Sequence, residues 1–308
     1  MKVFHGVTEA RELAGCSLAL GNFDGVHLGH QALFAEARRQ GSPSAALTFQ
    51  PHPGKVLQPE LAPKLISLLP RKLEFFESRG LDAAVVQPFT REYARHSPRD
   101  FEASLLDVLG ARHLVVGYDF TYGAARAGTA DTLREAAAAR GAQVHVVAPV
   151  TVDGVVASSS KVREYILEGR VSAAQLLLGR PFDLDGTVVT GHGRGRGIGF
   201  PTANVDTQNE LRPAPGVYAI RVRLKEEPGG PWRPGAANIG VKPTFGGSVV
   251  TIEAHLLDFS GDLYGKELRV QFLERLRPEQ RFGSVTELVG QIKRDVEAAR
   301  TVIARADD

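Results

Sequence analysis

The first 180 residues alternate short apolar segments with amphipathic helical segments, and this alternation limits the fold more than any other feature of the chain. The apolar segments have the length and composition of strands and lie at Ser17–Leu20, Ala45–Phe49, Ala83–Val86, His113–Val116 and Val144–Val147. The helical segments lie at Gln31–Arg39, Arg71–Arg79, Arg99–Leu109 and Asp131–Arg140. A glycine follows each helical segment, where a left-handed C-cap is expected: Gly41, Gly80, Gly110 and Gly141. This pattern predicts right-handed βαβ units and a parallel sheet with helices on both faces.

After Gly179-Arg180-Pro181 the pattern changes to strand-like segments separated by Gly and Pro. These segments lie at Leu184–Val189, Val217–Leu224, Gly235–Ile239, Val249–Leu257 and Leu268–Leu273. Their spacing predicts a small antiparallel barrel or sandwich. Apolar residues between 285 and 304 recur at helical spacing and predict a helix packed on it. We therefore expect two domains, residues 1–180 and 181–308, in this chain of 308 residues.

The charge balance excludes a surface devoted as a whole to nucleic acid or anionic membrane. The chain has 37 Lys and Arg against 35 Asp and Glu, a formal net charge of +2. An anionic ligand must therefore be bound by a local cluster. The lone cysteine, Cys16, excludes an intramolecular disulfide and fits a buried position in a reducing compartment. Without an apolar leader or an apolar run of ~20 residues, we expect a cytoplasmic protein. Neither nucleic acid nor membrane is expected as a partner, and the oligomeric state is left open.

The segment Gly21–His30 follows the first strand and opens the first helix. His27 and His30 are three residues apart, so in a helix they project from the same face of the first turn. Imidazole groups, free backbone N–H groups and the positive end of the helix dipole would converge there, which suits a polyphosphate. Two alternatives stay open: capping or surface histidines, and a zinc site that needs a further ligand such as Asp24 or His52. The absence of Gly-Lys-Ser/Thr excludes a P-loop.

The segment Gly191–Asn204 is rich in alternating glycines, and Arg194 and Arg196 add positive charge. Glycine lets the backbone approach a ligand closely. The segment is not a dinucleotide-binding fingerprint, because it contains no strict Gly-x-Gly-x-x-Gly and no βαβ unit surrounds it. Taken alone, it fits a flexible basic turn or a loop that contacts RNA.

Four motifs of the first domain resemble those of nucleotidyltransferases. Gly21–His30 is similar to the His-x-Gly-His signature, Ala157–Arg163 resembles the second signature, and Thr48–Pro53 and Gly117–Gly123 resemble motifs of the riboflavin-handling branch. The resemblance implies that ATP is bound by Gly21, Phe23, Asp24, His27, His30, Ser158, Ser159 and Arg163. His27 and His30 would stabilise the departing pyrophosphate and act as catalytic residues. The flavin would be bound by Phe49, His52, Asp119 and Arg126. Thr121-Tyr122 stands where the family often has Arg-Phe.

The second domain resembles riboflavin kinases. Gly199–Asn204 is similar to their Gly-x-Pro-Thr-x-Asn motif, and further motifs follow in family order to Phe282. The resemblance implies that ATP is bound by Gly193, Gly199, Pro201, Thr202 and Asn204, and that the flavin is bound by Asn238, Gly240 and Arg277. Thr202 and Asn204 would be ligands of Mg²⁺. Glu253 would be the general base, and so a catalytic residue.

The whole chain therefore resembles the prokaryotic bifunctional riboflavin kinase/FMN adenylyltransferase family, also called FAD synthetases. This implies an α/β fold: a Rossmann-like, nucleotidyltransferase-type parallel sheet, then a small antiparallel β-barrel of the riboflavin kinase type with a C-terminal helix. It also implies Mg²⁺, ATP as co-substrate, and riboflavin, FMN and FAD as substrates or products. Two alternatives remain. One is retention of the kinase activity alone, and the other is a flavin- or RNA-binding regulator with a decayed transferase domain.

Overall fold

The computed structural model describes residues 1–191, 197, 199–227, 229–244 and 247–307, with side chains described except at 242–244, 247–249 and 307. Contacts within the chain divide it into two units, Met1–Ser159 and Ser160–Asp308. Gly193, Arg194 and Arg196, which the sequence assigns to the second site, lie outside the described residues.

In the first unit, all of whose residues are described, six parallel strands form a sheet in the order β1-β4-β3-β2-β5-β8. These strands are β1 (Lys2–Phe4), β2 (Ser17–Leu20), β3 (Ser44–Gln50), β4 (Ala83–Pro88), β5 (His113–Gly117) and β8 (Gln143–Val147). Two hairpins pair β6 (Thr121–Tyr122) with β7 (Gly128–Thr129), and β9 (Thr151–Val152) with β10 (Val155–Val156). The parallel sheet is confirmed. The sequence pattern missed β1 because it has three residues, none of them fully buried.

Helices connect these strands. They are α1 (Leu28–Gln40), α2 (Pro53–Leu57), α3 (Leu69–Ser78), α4 (Pro98–Ala103), which runs into a π-helical turn at Ser104–Val108, and α5 (Ala130–Ala138). Short 3₁₀ turns lie at Ala10–Leu13, Pro59–Leu61, Tyr93–Arg95 and Ala124–Arg126.

Of the four glycines expected to be left-handed, Gly80, Gly110 and Gly141 have positive φ angles of 75°, 73° and 69°. The prediction for Gly41 is wrong: its φ of 162° is extended. β3 begins at Ser44, three residues after Gly41, and the extended backbone at Gly41 leads into it without a left-handed residue.

The sheet buries both faces, as its near-continuous apolar strands predict. Successive residues of β2 point into different clusters: Leu18 and Leu20 pack with Phe101 and Leu133 of α4 and α5, and Ala19 packs with Phe34 and Phe76 of α1 and α3. Cys16 lies fully buried in the first cluster, as expected. Desolvation raises the pKa of its thiol to about 12, so the thiol is not a nucleophile at neutral pH.

In the second unit, the described residues form a closed antiparallel barrel in the order β11-β12-β15-β14-β13-β16. Its strands are β11 (Phe182–Val189), β12 (Ala203–Asp206), β13 (Gly216–Leu224), β14 (Arg233–Thr244), β15 (Gly247–Leu256) and β16 (Glu267–Arg277). Of the two expected architectures, barrel and sandwich, the chain therefore adopts the barrel. β12 was not expected from the sequence, because it lies in a short segment between glycines and prolines.

Three helices belong to this unit or enter it: α6 (Ser159–Leu167), α7 (Val171–Leu178) and α8 (Val285–Asp307). Ala214 donates its backbone N–H to the Ile166 carbonyl, and a Cβ at Gly169 would lie 2.8 Å from the Tyr218 hydroxyl. These close contacts are why α6 and α7 group with the barrel, earlier in the chain than the change of composition near residue 180.

The expected C-terminal helix is α8, and its contacts change along its length. Ala299 and Ile303, in its second half, are buried in a cluster with Ala219 and Leu273 of the barrel. Val285, at the start of the expected apolar stripe, is 63% exposed and does not face the barrel core. The first half of α8 instead forms one side of a cavity, described below.

Candidate active sites

The turn between β2 and α1 has an unusual backbone. Phe23, Gly25 and Val26 have positive φ angles of 52°, 80° and 44°, which non-glycine residues rarely adopt. Phe23 and Val26 are also fully buried, so packing holds them in these conformations. A Cβ at Gly25 would lie 2.9 Å from the Ile66 side chain, so only glycine fits there. The turn delivers His27 to the N-cap of α1.

His27 and His30 lie together at the first turn of α1. Their rings are stacked, with centroids 3.6 Å apart and an interplanar angle of 27°. The edge of Phe23 contacts His30 at a centroid distance of 5.2 Å, and His27 is 6% exposed. The stacked pair thus lies at the N-terminal end of a 13-residue helix, where the helix dipole stabilises an anion.

Asp24 stabilises the turn through hydrogen bonds to the segment before α3. Its buried carboxylate accepts backbone hydrogen bonds from Ile66 and Ser67, each at 3.1 Å. The carboxylate therefore ties the segment before α3 to the turn, and the expected contact of Asp24 with ATP stays a prediction. Among the described residues, no group of three or more His, Cys, Asp or Glu side chains is arranged to hold a metal ion.

The second nucleotidyltransferase-like motif lies against the first. The Ser159 hydroxyl donates a 2.9 Å hydrogen bond to the Asp24 carbonyl, and a Cβ at Gly29 would lie 3.3 Å from the Ala157 carbonyl oxygen. The absence of a side chain at Gly29 therefore allows the close approach of the two motifs, although they are far apart in sequence. Arg163 lies one turn further along α6, within the second unit.

A cavity of about 480 Å³ begins at the same turn, with Gly21 and Asn22 in its wall. Of the four residues expected to bind flavin, three line it: Phe49, Asp119 and Arg126. The structure does not bring His52 to this wall; its Nδ1 accepts the Gly54 N–H at 3.1 Å and caps α2. The aromatic members of the wall suit a flat ring system. They are Phe49, Phe89, Tyr93, Phe101, Phe120 and Tyr122.

Two tyrosines of this wall, Tyr93 and Tyr122, were not assigned to flavin from the sequence, although Tyr122 lies in the motif Gly117–Gly123. The buried Tyr93 hydroxyl makes no hydrogen bond within the part of the chain that the structure describes, and desolvation raises the pKa of Tyr93. The Tyr122 hydroxyl instead donates to the buried Glu102 carboxylate at 2.6 Å. Burial, and then this bond, raise the pKa of Tyr122. No sequence signal marks Tyr93, because its neighbours come from separate loops.

In the second unit, strand register places three polar residues side by side. Glu253 on β15 pairs with Asn204 on β12 and with Asn238 on β14. Directly paired residues of neighbouring strands project to the same face of the sheet. A Cβ at Gly191 would overlap Asn204 Nδ2, so Gly191 leaves the space that the Asn204 amide occupies.

Glu253 and Asn238 line a cavity of about 340 Å³, together with Thr202 and Arg277. Four residues expected in the kinase site are thus brought together. The apolar part of the wall comes from the barrel and from the first half of α8, with Leu288, Ile292 and Val296. Gly240 lies outside the wall, but a Cβ there would approach Glu279 Oε1, a wall group, to 2.8 Å.

Arg277 lines the cavity and also donates hydrogen bonds to other residues of the protein. Its Nε and Nη2 donate to the Asp295 carboxylate at 2.9 and 2.8 Å, and Nη1 donates to the Pro278 carbonyl at 3.0 Å. Asp295 also accepts from Gln291 at 2.8 Å. The Arg277–Asp295 pair is largely buried, with side chains 17% and 9% exposed, and joins α8 to the end of β16. A role of Arg277 toward flavin stays a prediction, beside this observed role in positioning α8.

Thr202 lines two cavities of the second unit. It lines both the larger cavity and a smaller one of about 90 Å³, which Pro201, Phe259 and Tyr264 also line. His255 Nδ1 lies 2.7 Å from the Pro201 carbonyl oxygen, within hydrogen-bond distance, and holds the segment before β12. Gly199, with a φ of 85°, supplies the left-handed backbone just before this segment.

Two family models match the chain, a riboflavin kinase model at residues 178–303 and an FAD synthetase model at residues 9–161. Three similar proteins carry the name bifunctional riboflavin kinase/FMN adenylyltransferase. That of Pseudomonas fluorescens is 40% identical and covers 99% of this chain and 98% of its own. That of Escherichia coli K12 is 38% identical and covers 97% of this chain and 97% of its own. That of Bacillus subtilis is 38% identical and covers 94% of this chain and 92% of its own.

A solved structure from Streptococcus pneumoniae, named a macrolide-efflux protein, has a TM-score of 0.88 to this chain. It is 31% identical, and the match covers 97% of this chain and 98% of that one. Among the described residues of the present chain, no helix has the length and apolar character required to cross a membrane.

Proposed function

From the premise that this chain belongs to the bifunctional riboflavin kinase/FMN adenylyltransferase family, we propose that it carries out two consecutive reactions on flavin. The second unit transfers the γ-phosphoryl group of ATP to riboflavin and forms FMN. The first unit transfers AMP from a second ATP to FMN, which gives FAD and pyrophosphate. The catalytic boundary lies between residues 161 and 178, the interval between the two matched family models.

The kinase proposal rests on Glu253, held in register between Asn204 and Asn238 in the wall of a cavity of about 340 Å³. Glu253 accepts the proton of the ribityl hydroxyl as that oxygen bonds to the γ-phosphorus, and the bond between the γ-phosphorus and the leaving ADP breaks. Hydroxyl and amide oxygens suit Mg²⁺, so Thr202 and Asn204 fit as its ligands. When bound, Mg²⁺ screens the phosphate charges.

The adenylyltransferase proposal rests on the stacked His27 and His30 at the start of α1. A phosphate oxygen of FMN bonds to the α-phosphorus of ATP, and the bond to the β-phosphate oxygen breaks. The two histidines and the backbone N–H groups of the helix start stabilise the charge on the departing pyrophosphate. Ser158 and Ser159 lie at the facing helix start, and Arg163 stays a prediction from the family resemblance. The flavin ring occupies the cavity lined by Phe49, with Asp119 and Arg126 at its polar part.

Two variants of the full chain test these assignments. Glu253→Gln removes the base at nearly constant shape, so FMN formation from riboflavin should fall by at least ~100-fold while FAD formation from added FMN persists. The double variant His27→Ala, His30→Ala should show the converse. Each variant is the control for the other, because both activities are measured on one preparation. A Glu253→Gln protein with wild-type kinase rates contradicts the base assignment, and unchanged FAD synthesis by the double variant contradicts the phosphate site.

We also place the reactions in the cytoplasm. ATP is the co-substrate of both, and the lone buried cysteine is compatible with a reducing compartment.

A further inference from the structure

Lys72 is a buried cation that neither reaction described above uses. It lies on α3 and is 5% exposed. Its Nζ donates a 2.8 Å hydrogen bond to the Asn22 carbonyl and a 3.3 Å hydrogen bond to the Thr48 hydroxyl. The Thr48 hydroxyl donates in turn to the same Asn22 carbonyl at 2.9 Å. Lys72 therefore joins three elements: α3, the end of β3 and the turn that leads to His27.

The surroundings of the ammonium group offer little compensation for its burial. Phe75 and Phe76, one turn along α3, are buried apolar residues, and the groups facing it from β3 and the turn are an uncharged hydroxyl and carbonyl. Asp24, on the same turn, is the charged group that favours the ammonium form. Its carboxylate accepts the Ile66 and Ser67 N–H groups. Desolvation dominates and lowers the pKa of Lys72 to about 8.

A buried cation is costly, and an apolar side chain of the same length would fill this volume at lower cost. The position of the Lys72 ammonium group indicates why a lysine, and not an apolar residue, occupies this site. Its Nζ binds the Asn22 carbonyl near the beginning of the turn, and the same turn leads to His27 at the N-cap of α1, where the stacked histidines lie. A positive charge in a poorly solvated region acts on nearby anions more strongly than one in water.

We propose that Lys72 is a positioning residue of the adenylyltransferase site: it holds the Asn22 carbonyl, and so fixes the turn that presents His27 and His30 to the ATP phosphates. Its charge also stabilises bound polyphosphate through the turn. This inference rests on the proposed assignment of the His27–His30 turn to ATP.

The charge of Lys72 should make FAD formation depend on pH. The charge is present below pH 8 and is lost as the pH rises through about 8, the pKa of Lys72. The pH dependence of kcat/KM reports the pKa values of groups in the free enzyme. The kcat/KM for ATP in FAD formation should therefore fall as the pH rises through this value. The kinase reaction of the same chain, which also uses Mg-ATP, should not show this fall.

The test measures both activities of the full chain from about pH 6 to pH 10, for the wild type, Lys72→Met and the control Lys2→Met. Lys2 is a surface lysine of the same unit with a 70% exposed side chain. Lys72→Met should lower kcat/KM for ATP in adenylylation by about 10- to 100-fold below pH 8, and should abolish the alkaline fall. Lys2→Met should behave as the wild type in both reactions.

Three results overturn the proposal: a wild-type profile without an alkaline fall near pH 8, a Lys72→Met profile equal to that of the wild type, or an alkaline fall that persists in Lys72→Met. The first needs no variant, so a Lys72→Met protein that does not fold leaves the test decisive. The His27→Ala, His30→Ala variant distinguishes a failure of the ATP assignment from a failure of the role proposed for Lys72. If that variant still forms FAD, the ATP assignment itself fails. If it loses FAD formation while Lys72→Met matches the wild type, only the role of Lys72 fails.

Discussion

Tyr93 and Tyr122 line the same cavity, but their hydroxyl groups have different partners. The Tyr122 hydroxyl is held by Glu102, whereas the buried Tyr93 hydroxyl has no hydrogen-bond partner among the described residues. An unpaired buried hydroxyl is costly, and a bound ligand that pairs with it recovers that cost. Tyr93 is therefore expected to recognise a polar edge of the flavin.

Replacing Tyr93 by Phe removes that hydroxyl and keeps the aromatic wall. The KM for FMN in FAD formation should rise about 3- to 10-fold, because one neutral hydrogen bond is lost, and kcat should change little. Steady-state kinetics at varied FMN measure this. Riboflavin phosphorylation by the same preparation is the control and should not change. An unaltered KM for FMN would show that the hydroxyl makes no contact with the flavin.

At this scale, sequence reasoning found the residues with distinctive chemistry. The stacked His27 and His30 and the cavity residue Glu253 lie in motifs whose order could be read along the chain. Lys72 and Tyr93 could not be found in this way. Each matters through contacts with residues from other elements, and no local pattern marks such contacts.

At the scale of elements, the parallel strands were predicted closely because a buried strand is a continuous apolar run bounded by turns. The row formed by Asn204, Glu253 and Asn238 was not predictable. It depends on the register of three antiparallel strands, and a shift of one residue would move each side chain to the opposite face. The first half of α8 was expected to pack on the barrel, but Leu288 and Ile292 line a cavity instead.

The position of α8 depends on the buried Arg277–Asp295 pair. Asp295→Asn leaves the Arg277 charge without its partner, which should destabilise the second unit by about 3–5 kcal/mol and raise the KM for riboflavin, because α8 forms one side of the cavity. Thermal unfolding and riboflavin kinetics measure both effects.

The matched control is Asp258→Asn, which removes the same charge from the exposed Arg300–Asp258 pair. Asp258 has a φ of 54°, a conformation that asparagine also adopts readily, so the substitution introduces no new backbone strain. It should leave the unfolding temperature and the riboflavin KM unchanged, since exposed pairs contribute little. Equal effects of the two substitutions would contradict a special role for the buried pair.

At the scale of the whole molecule, the chain joins two folds, each with its own polar site and adjoining cavity. A formal net charge of +2 gave no indication of phosphate-rich substrates. The reason is that the positive groups act locally. The stacked histidines lie at one helix start, and the buried Lys72 binds the Asn22 carbonyl of the turn that leads to them. The two-part organisation was predictable from the change in strand pattern, whereas the grouping of α6 and α7 with the barrel depends on long-range contacts.

The central claim is that one chain converts riboflavin to FAD in two ATP-dependent steps. The most direct test incubates the purified chain with riboflavin and Mg-ATP and separates the flavins over time. FMN should appear first and then be converted to FAD, with one pyrophosphate released for each FAD formed. FMN that accumulates and never becomes FAD would contradict the bifunctional claim, and the absence of any turnover would contradict both activities.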